Sequence, residues 1–366
     1  MTVVVETGTK VLAAGDASDT VAITTVVMAN AFVTMSYSID DASPGFSSLT
    51  CQLASTTTIR FDRVTAASSP AITITWQVVS GTEFTVERGA TDVATDPTDV
   101  TITAIDGATC WCISYTRRAG ATLGSDDWCS TLIEPTTNLR IGCVGATSGV
   151  TCEWQVITYS GCAVVRGQVA LGTGTATGTG TVTAVDLAKT LLLISFESDS
   201  GTSTDVGQKM VRAEMSSTTE VLVTRINTGQ AMTVEWELIE FTDATTVYPI
   251  VVNHSTTETD VDDTVPAVTL ARTWPVAAGY KYCGGTTGYS TADNPHVAQG
   301  SLTLDSTTNL NTVKALHGSA ASIIQAYVVE FPAAAGAGRI MGAIAGLGGL
   351  AGHGGIAGPG GGIAGD

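Results

Sequence analysis

The sequence predicts an all-β protein: four tandem small β-sandwich modules, Ig-like or jelly-roll-like, followed by a glycine-rich, non-globular C-terminal tail. Three observations carry this. Apolar residues alternate with a period of two, as in Ile72, Ile74, Trp76 and Val78, or Val234, Trp236 and Leu238, which is the strand signature. Forty glycines and some 60 threonines suit turns and strands, because glycine supplies positive φ and threonine is β-branched. Finally, related segments return about every eighty residues.

Within each repeat the signals come in a fixed order. A segment ending in glycine opens three of them: VETG to Gly8, VERG to Gly89 and VVRG to Gly167. An aromatic-bearing strand follows, FVTMSYS around Tyr37, CWCISYT around Tyr115 and LLLISFES around Phe196, where the fourth copy offers KYCGGTTGYS. Next come STTTI, PTTNL, STTEV and STTNL, ending at Ile59, Leu139, Val221 and Leu310. Each copy closes on a strand anchored by Trp76, Trp154, Trp236 or Tyr327, expected as equivalent core residues. The modules are therefore read as 1–80, 81–161, 162–242 and 243–332, the second rich in cysteine and the fourth diverged. Six strands are expected per copy, in the first near Val3–Val5, Val21–Thr25, Val33–Ser38, Ser48–Leu53, Ile59–Asp62 and Ile72–Val79. Short linkers favour neighbouring modules stacking end to end or side by side.

Residues 333–366 are different material, with fourteen glycines in thirty-four positions. Glycine loses the most backbone entropy on ordering, so such a segment gains little from folding alone. Ile340, Ile344, Leu347, Leu350, Ile356 and Ile363 are too sparse to bury within one chain, which marks the tail as an assembly element between copies, with a spacer or a membrane contact as the alternatives.

Charge and motifs narrow the function. A formal charge of −18 repels phosphate backbones and argues against nucleic-acid binding. The first twenty residues contain Glu6 and no apolar run of signal-peptide length, and no eighteen-residue apolar stretch lies outside the tail, so neither a secretory signal nor an ordinary transmembrane helix is expected. Eight cysteines, six of them between Cys110 and Cys162, match no zinc spacing and read as small buried hydrophobes. His254, His296, His317 and His353 are scattered, and no nucleophile elbow, Walker loop or dinucleotide pattern occurs. No cofactor and no catalytic residue are assigned. Asp260, Asp262 and Asp263 could give oxygen ligands to calcium, as could Asp92, Asp96 and Asp99. They share a repeat position with Asp16 and Asp19, however, immediately before a strand, where aspartate caps turns. Trp111, Trp128 and Trp274 lie off the anchor register and are the aromatic residues free to meet a ligand.

Tandem β modules that open on V-x-R-G-like segments, carry STTxL before a strand and close on W-x-V-V-E-F-like strands resemble repeated modules in virion proteins of tailed bacteriophages. The resemblance spans residues 1–332. It implies a non-enzymatic structural or host-contacting role in a tail fibre, spike or head decoration, assembled in the host cytoplasm as a homo-oligomer, preferably a trimer, with other virion proteins as partners. The rival reading is a carbohydrate-binding adhesin or polysaccharide depolymerase with a host surface glycan as ligand.

Overall fold

The computed structural model describes residues 3–39, 46, 48–64, 69–118, 128–145, 149–198, 206–282, 298–315 and 321–333. The tail residues Ile340 to Ile363 lie outside them. Residues 1–334 form one compact unit. It is nearly all β, as the sequence predicts.

The first six strands are β1 (Val4–Leu12), β2 (Ser18–Ala22), β3 (Ala31–Ser38), β4 (Thr50–Ser55), β5 (Thr58–Asp62) and β6 (Ile72–Ser80). They form two antiparallel three-stranded sheets, β1-β6-β3 and β2-β5-β4. Strand one pairs with six and two with five, the pairing that results when one three-strand run folds back on the next, a short jelly roll. The same order recurs in β7 (Phe84–Asp92) to β12 (Val150–Tyr159), β13 (Cys162–Leu171) to β18 (Met232–Phe241) and β19 (Thr246–His254) to β24 (Ser322–Glu330).

The STT segments have a definite task. The turn between the fourth and fifth strands presents two carbonyls, and Thr57 and Thr56 O accept from Ile23 and Val26 N at 2.9 and 2.8 Å. Thr137 and Thr136, Thr219 and Thr218, and Thr308 and Thr307 repeat both bonds. Each latch fixes the chain leaving the second strand just before a single 3-10 turn, Met28–Asn30 in the first module, from which the third strand starts.

Glycine and tryptophan are coupled. Gly8, Gly89 and Gly167 pair across the sheet with Trp76, Trp154 and Trp236. The indole lies over the glycine so closely that an added Cβ would stand 2.4, 2.4 and 2.1 Å from a ring carbon. The fourth module corrects the sequence alignment by one residue. Its third strand, β21 (Thr273–Tyr282), pairs Trp274 with Val329, as Phe32 pairs with Val79, Trp111 with Ile157 and Leu191 with Ile239. Three residues back stands Ala326, not Tyr327, in the place of the tryptophans. Its cross-strand partner is Ile250 in the place of the glycines. A large residue over a small one has become a small residue opposite a large one, which keeps most of the combined volume. A one-residue slip reverses faces, so Tyr327 points out of its own sandwich.

The sixth strands, such as β6 and β18, are buried on both faces along most of their length, whereas first strands such as β1 alternate. The second face is covered by the preceding module. Strand β7 packs on the 3-10 turn of the first module, β13 on that of the second and β19 on that of the third. Strand β1 packs on the turn Leu270–Arg272 of the fourth, which closes the four modules into a ring.

Trp236→Ala should destabilise the fold by roughly 3–5 kcal/mol in denaturant titration, through lost burial and a cavity. Gly167→Ile alone should fail to fold stably. The double variant, which copies Ala326 and Ile250, should recover at least about 1 kcal/mol relative to additivity.

Candidate functional site

The seams between modules carry polar contacts, and three of the four have one at the same repeat position. On the outward face of the sixth strand, one residue beyond the tryptophan, stand Gln77, Gln155, Glu237 and, in the fourth module, Tyr327. Gln155 clasps Val33 of the first module, accepting from its N at 3.0 Å and donating to its O at 2.7 Å. Glu237 accepts from Cys112 N, the equivalent atom of the second module, at 2.7 Å. At the closing seam the equivalent residue is Pro275, which has no N–H to give. There Gln77 instead accepts from the Thr34 hydroxyl at 3.0 Å, and Thr34 Oγ1 accepts from Trp274 Nε1 at 2.9 Å.

A second position adds to this. Tyr115 OH accepts from Met35 N, Ser195 Oγ from Thr131 N and Ser36 Oγ from Leu302 N, each at 2.8 Å and each from the preceding module. The arginines of VERG and VVRG form a third set. Arg88 donates to Met28 and Ala31 O at 2.6 and 2.5 Å, and Arg166 to Gly107 and Cys110 O. Arg166 also pairs with Glu237 at 2.7 Å. Lys189 serves the third seam, donating to Asp243 and Thr245 O at 2.7 Å.

The rings facing inward from the modules meet at the centre. Phe84, Tyr159, Phe241 and Phe331 form a closed circuit with centroid separations of 4.9, 6.1, 6.0 and 5.7 Å. Phe32 lies 6.2 Å from Trp111 and 5.3 Å from Trp274. Beyond this plug the third strands β3, β9 (Cys110–Arg118), β15 (Thr190–Ser198) and β21 surround a cavity of about 280 Å³. Its walls include Tyr37, Tyr115, Trp128, Phe196 and Tyr280, with Glu235 and Gln77 among the polar groups.

The seam between the second and third modules gathers carboxylates. Burial, and then the nearby Asp96, push Glu197 up to about 7. Its carboxylate fills the space left by Gly142, where a Cβ would stand 2.3 Å from Oε2. Burial likewise raises Glu235 and Glu237, the latter against the opposing pull of Arg166. Glu153, at the first seam, is raised by burial as well.

The residues singled out in the sequence scatter over these environments. Trp76, Trp154 and Trp236 are buried in their own modules, and Tyr327 is buried against the central cluster. Of the three off-register tryptophans, Trp111 and Trp274 belong to the central plug and Trp128 walls the cavity. Asp260, Asp262 and Asp263 lie within β20 (Asp260–Thr264) rather than in a turn before it. Asn311 donates to Asp260 at 2.5 Å and to Asp262 at 3.1 Å, and Asn309 donates to Asp262 at 2.7 Å. Asp19 and Asp99 are also strand residues, in β2 and β8 (Thr98–Thr101), while Asp92 ends β7 and Asp96 accepts from Cys143 N. Among the described residues, no three His, Cys, Asp or Glu are placed to hold a metal ion. His254 is buried, and burial lowers it to about 4. All seven described cysteines are buried thiols. The seam residues Gln155, Glu235 and Glu237 escaped the sequence reading, although a polar residue on the second face of an apolar strand was the available signal.

No family model matches the chain, and no curated protein matches it. No helix among the described residues is long and apolar enough to cross a membrane.

Glu197 holds a proton in the folded state that the unfolded chain releases above about 4.5. Its contribution is complete below that pH and is lost as pH rises through about 7. Melting temperature should therefore fall from pH 5 to pH 8, and Glu197→Gln should flatten the decline. Because Asn309 and Asn311 already serve the acidic strand, calcium or a chelator should leave the melting temperature unchanged. A rise of many degrees with calcium would expose an ion site.

Proposed function

We propose that this chain is a non-enzymatic structural component of a bacteriophage particle, a tail fibre, spike or head-decoration protein that resides in the virion. The observation that supports this best is how the seams spend their polar groups. Gln155, Glu237, Arg88 and Arg166, four of the polar side chains at the module boundaries, are committed to backbone atoms of a neighbour. Such groups hold a scaffold and are not free to act on a substrate. The resemblance of the repeat motifs to phage virion modules supplies the setting. Residues 333–366 then join copies of the chain, preferably three, and other virion proteins.

Antibody raised against residues 1–332 should decorate phage particles in electron micrographs of a lysate that contains the chain. Recovery of the protein only in the particle-free fraction overturns the proposal. Deleting residues 333–366 should leave the far-ultraviolet spectrum unchanged while oligomeric mass or incorporation is lost.

A further inference from the structure

We infer that the central cavity binds one uncharged sugar ring, with the tyrosine side chains against its C–H faces and the Glu235 carboxylate accepting from its hydroxyls. This goes beyond the structural role proposed above and does not depend on it.

The size comes first. About 280 Å³ lies just below the range of roughly 300–1,000 Å³ that drug-sized ligands occupy, so the occupant is small. The walls come next. Tyr37, Tyr115 and Tyr280, from the first, second and fourth modules, are each only partly buried although they sit on inward strands. Tyrosine is amphipathic, with an apolar body and a polar tip, so a ring that keeps part of its surface open beside a cavity offers both kinds of contact. Phe196 closes the wall at the third module, its ring 5.7 Å from that of Trp128 of the second.

The polar groups decide the chemistry. Glu235 is 3% exposed, and one carboxylate oxygen accepts from Gln168 Nε2 at 2.7 Å. The other, Oε2, is buried with no hydrogen-bond partner, although the residue lines the cavity. A buried acceptor in that condition favours a ligand that brings a donor. The cavity offers donors too. The Gln77 carboxamide oxygen is taken by Thr34, which leaves its NH₂ to give, and Ser36 Oγ, having accepted from Leu302 N, retains its own proton to donate. Vicinal hydroxyls both donate and accept, which matches this mixture. Glu237 is saturated by Arg166 and Cys112 N and takes no part. An anionic ligand would meet Glu235 unfavourably.

The test is calorimetric titration of the full chain at neutral pH with D-glucose, D-galactose, N-acetyl-D-glucosamine and their methyl glycosides. Tetramethylammonium and acetate serve as charged comparisons. At least one sugar should bind saturably at one per chain. The isosteric Glu235→Gln should weaken it about tenfold or more, the loss expected for a hydrogen bond to a charged group. Ile113 of β9 also lines the cavity, so Ile113→Trp, which fills it, should abolish binding, whereas Thr20→Ala on β2 should change nothing. If Ile113→Trp does not fold, Glu235→Gln decides alone. No saturable binding by any sugar up to about 100 mM, binding indifferent to Glu235→Gln, or tighter binding of tetramethylammonium overturns the inference. Particle decoration is scored separately, so either reading can fail without the other.

Discussion

The closing strand of each module is buried on both faces, and the rest of the architecture follows from that. A strand flanked on both edges within its own sheet has satisfied its backbone, so what remains is to cover two rows of side chains. One row, with Ile72, Ile74, Trp76 and Val78 as its first instance, enters the module's own core. The other, with Thr75, Gln77 and Val79, has no cover within the module. A six-stranded module of this kind cannot bury both rows alone. Four of them in a ring can, because each lends its third strand and 3-10 turn to the next.

That second row could have been apolar, and the sequence instead puts amides and carboxylates there. The physical consequence is directional. Apolar faces slide, whereas Gln155 finds both the N–H and the carbonyl of Val33, and Glu237 finds the N–H of Cys112. Buried polar groups left unmatched are costly, so each side chain selects one placement of its neighbour. The fourth seam shows the rule through its exception. Pro275 removes the N–H, and the Thr34 hydroxyl takes over as donor to Gln77 while receiving the Trp274 indole N–H. Divergence among the modules is thus compensated in pairs, as it is in the exchange of glycine and tryptophan for Ile250 and Ala326.

The same substitution logic reaches the cysteine-rich module. Arg63 and Arg225 bind three loop carbonyls each in the first and third modules: Ala13, Asp16 and Pro70, and Gly172, Thr175 and Gln208. Lys314 follows the fifth strand at the same place in the fourth. In the second module the position is Cys143, which packs with Cys129 and Cys152. Its N–H goes to Asp96 instead. A cluster of buried thiols has replaced a buried cation.

Much of this was legible from the chain. Period-two alternation and turn residues determine strands wherever one face meets a core, so the third to sixth strands of the first module lie close to where the pattern puts them, while the first runs on to Leu12 and the second starts three residues earlier than expected. The STT segments repeat because four identical latches need them, and Gly8, Gly89 and Gly167 repeat because an indole lies on each. What the chain did not disclose is which residue of a buried strand faces which core. Tyr327 looks like the fourth tryptophan by spacing, but pairing puts Ala326 there, and a one-residue offset is invisible in a strand that is apolar on both sides. Asp260 and Asp262 look like a turn because their asparagine partners are fifty residues distant in sequence. Ring closure was the largest omission. Linker length permits a row as readily as a ring, and the choice rests on contacts between Gln77, Thr34 and Trp274, residues far apart in the chain that only the folded structure brings together.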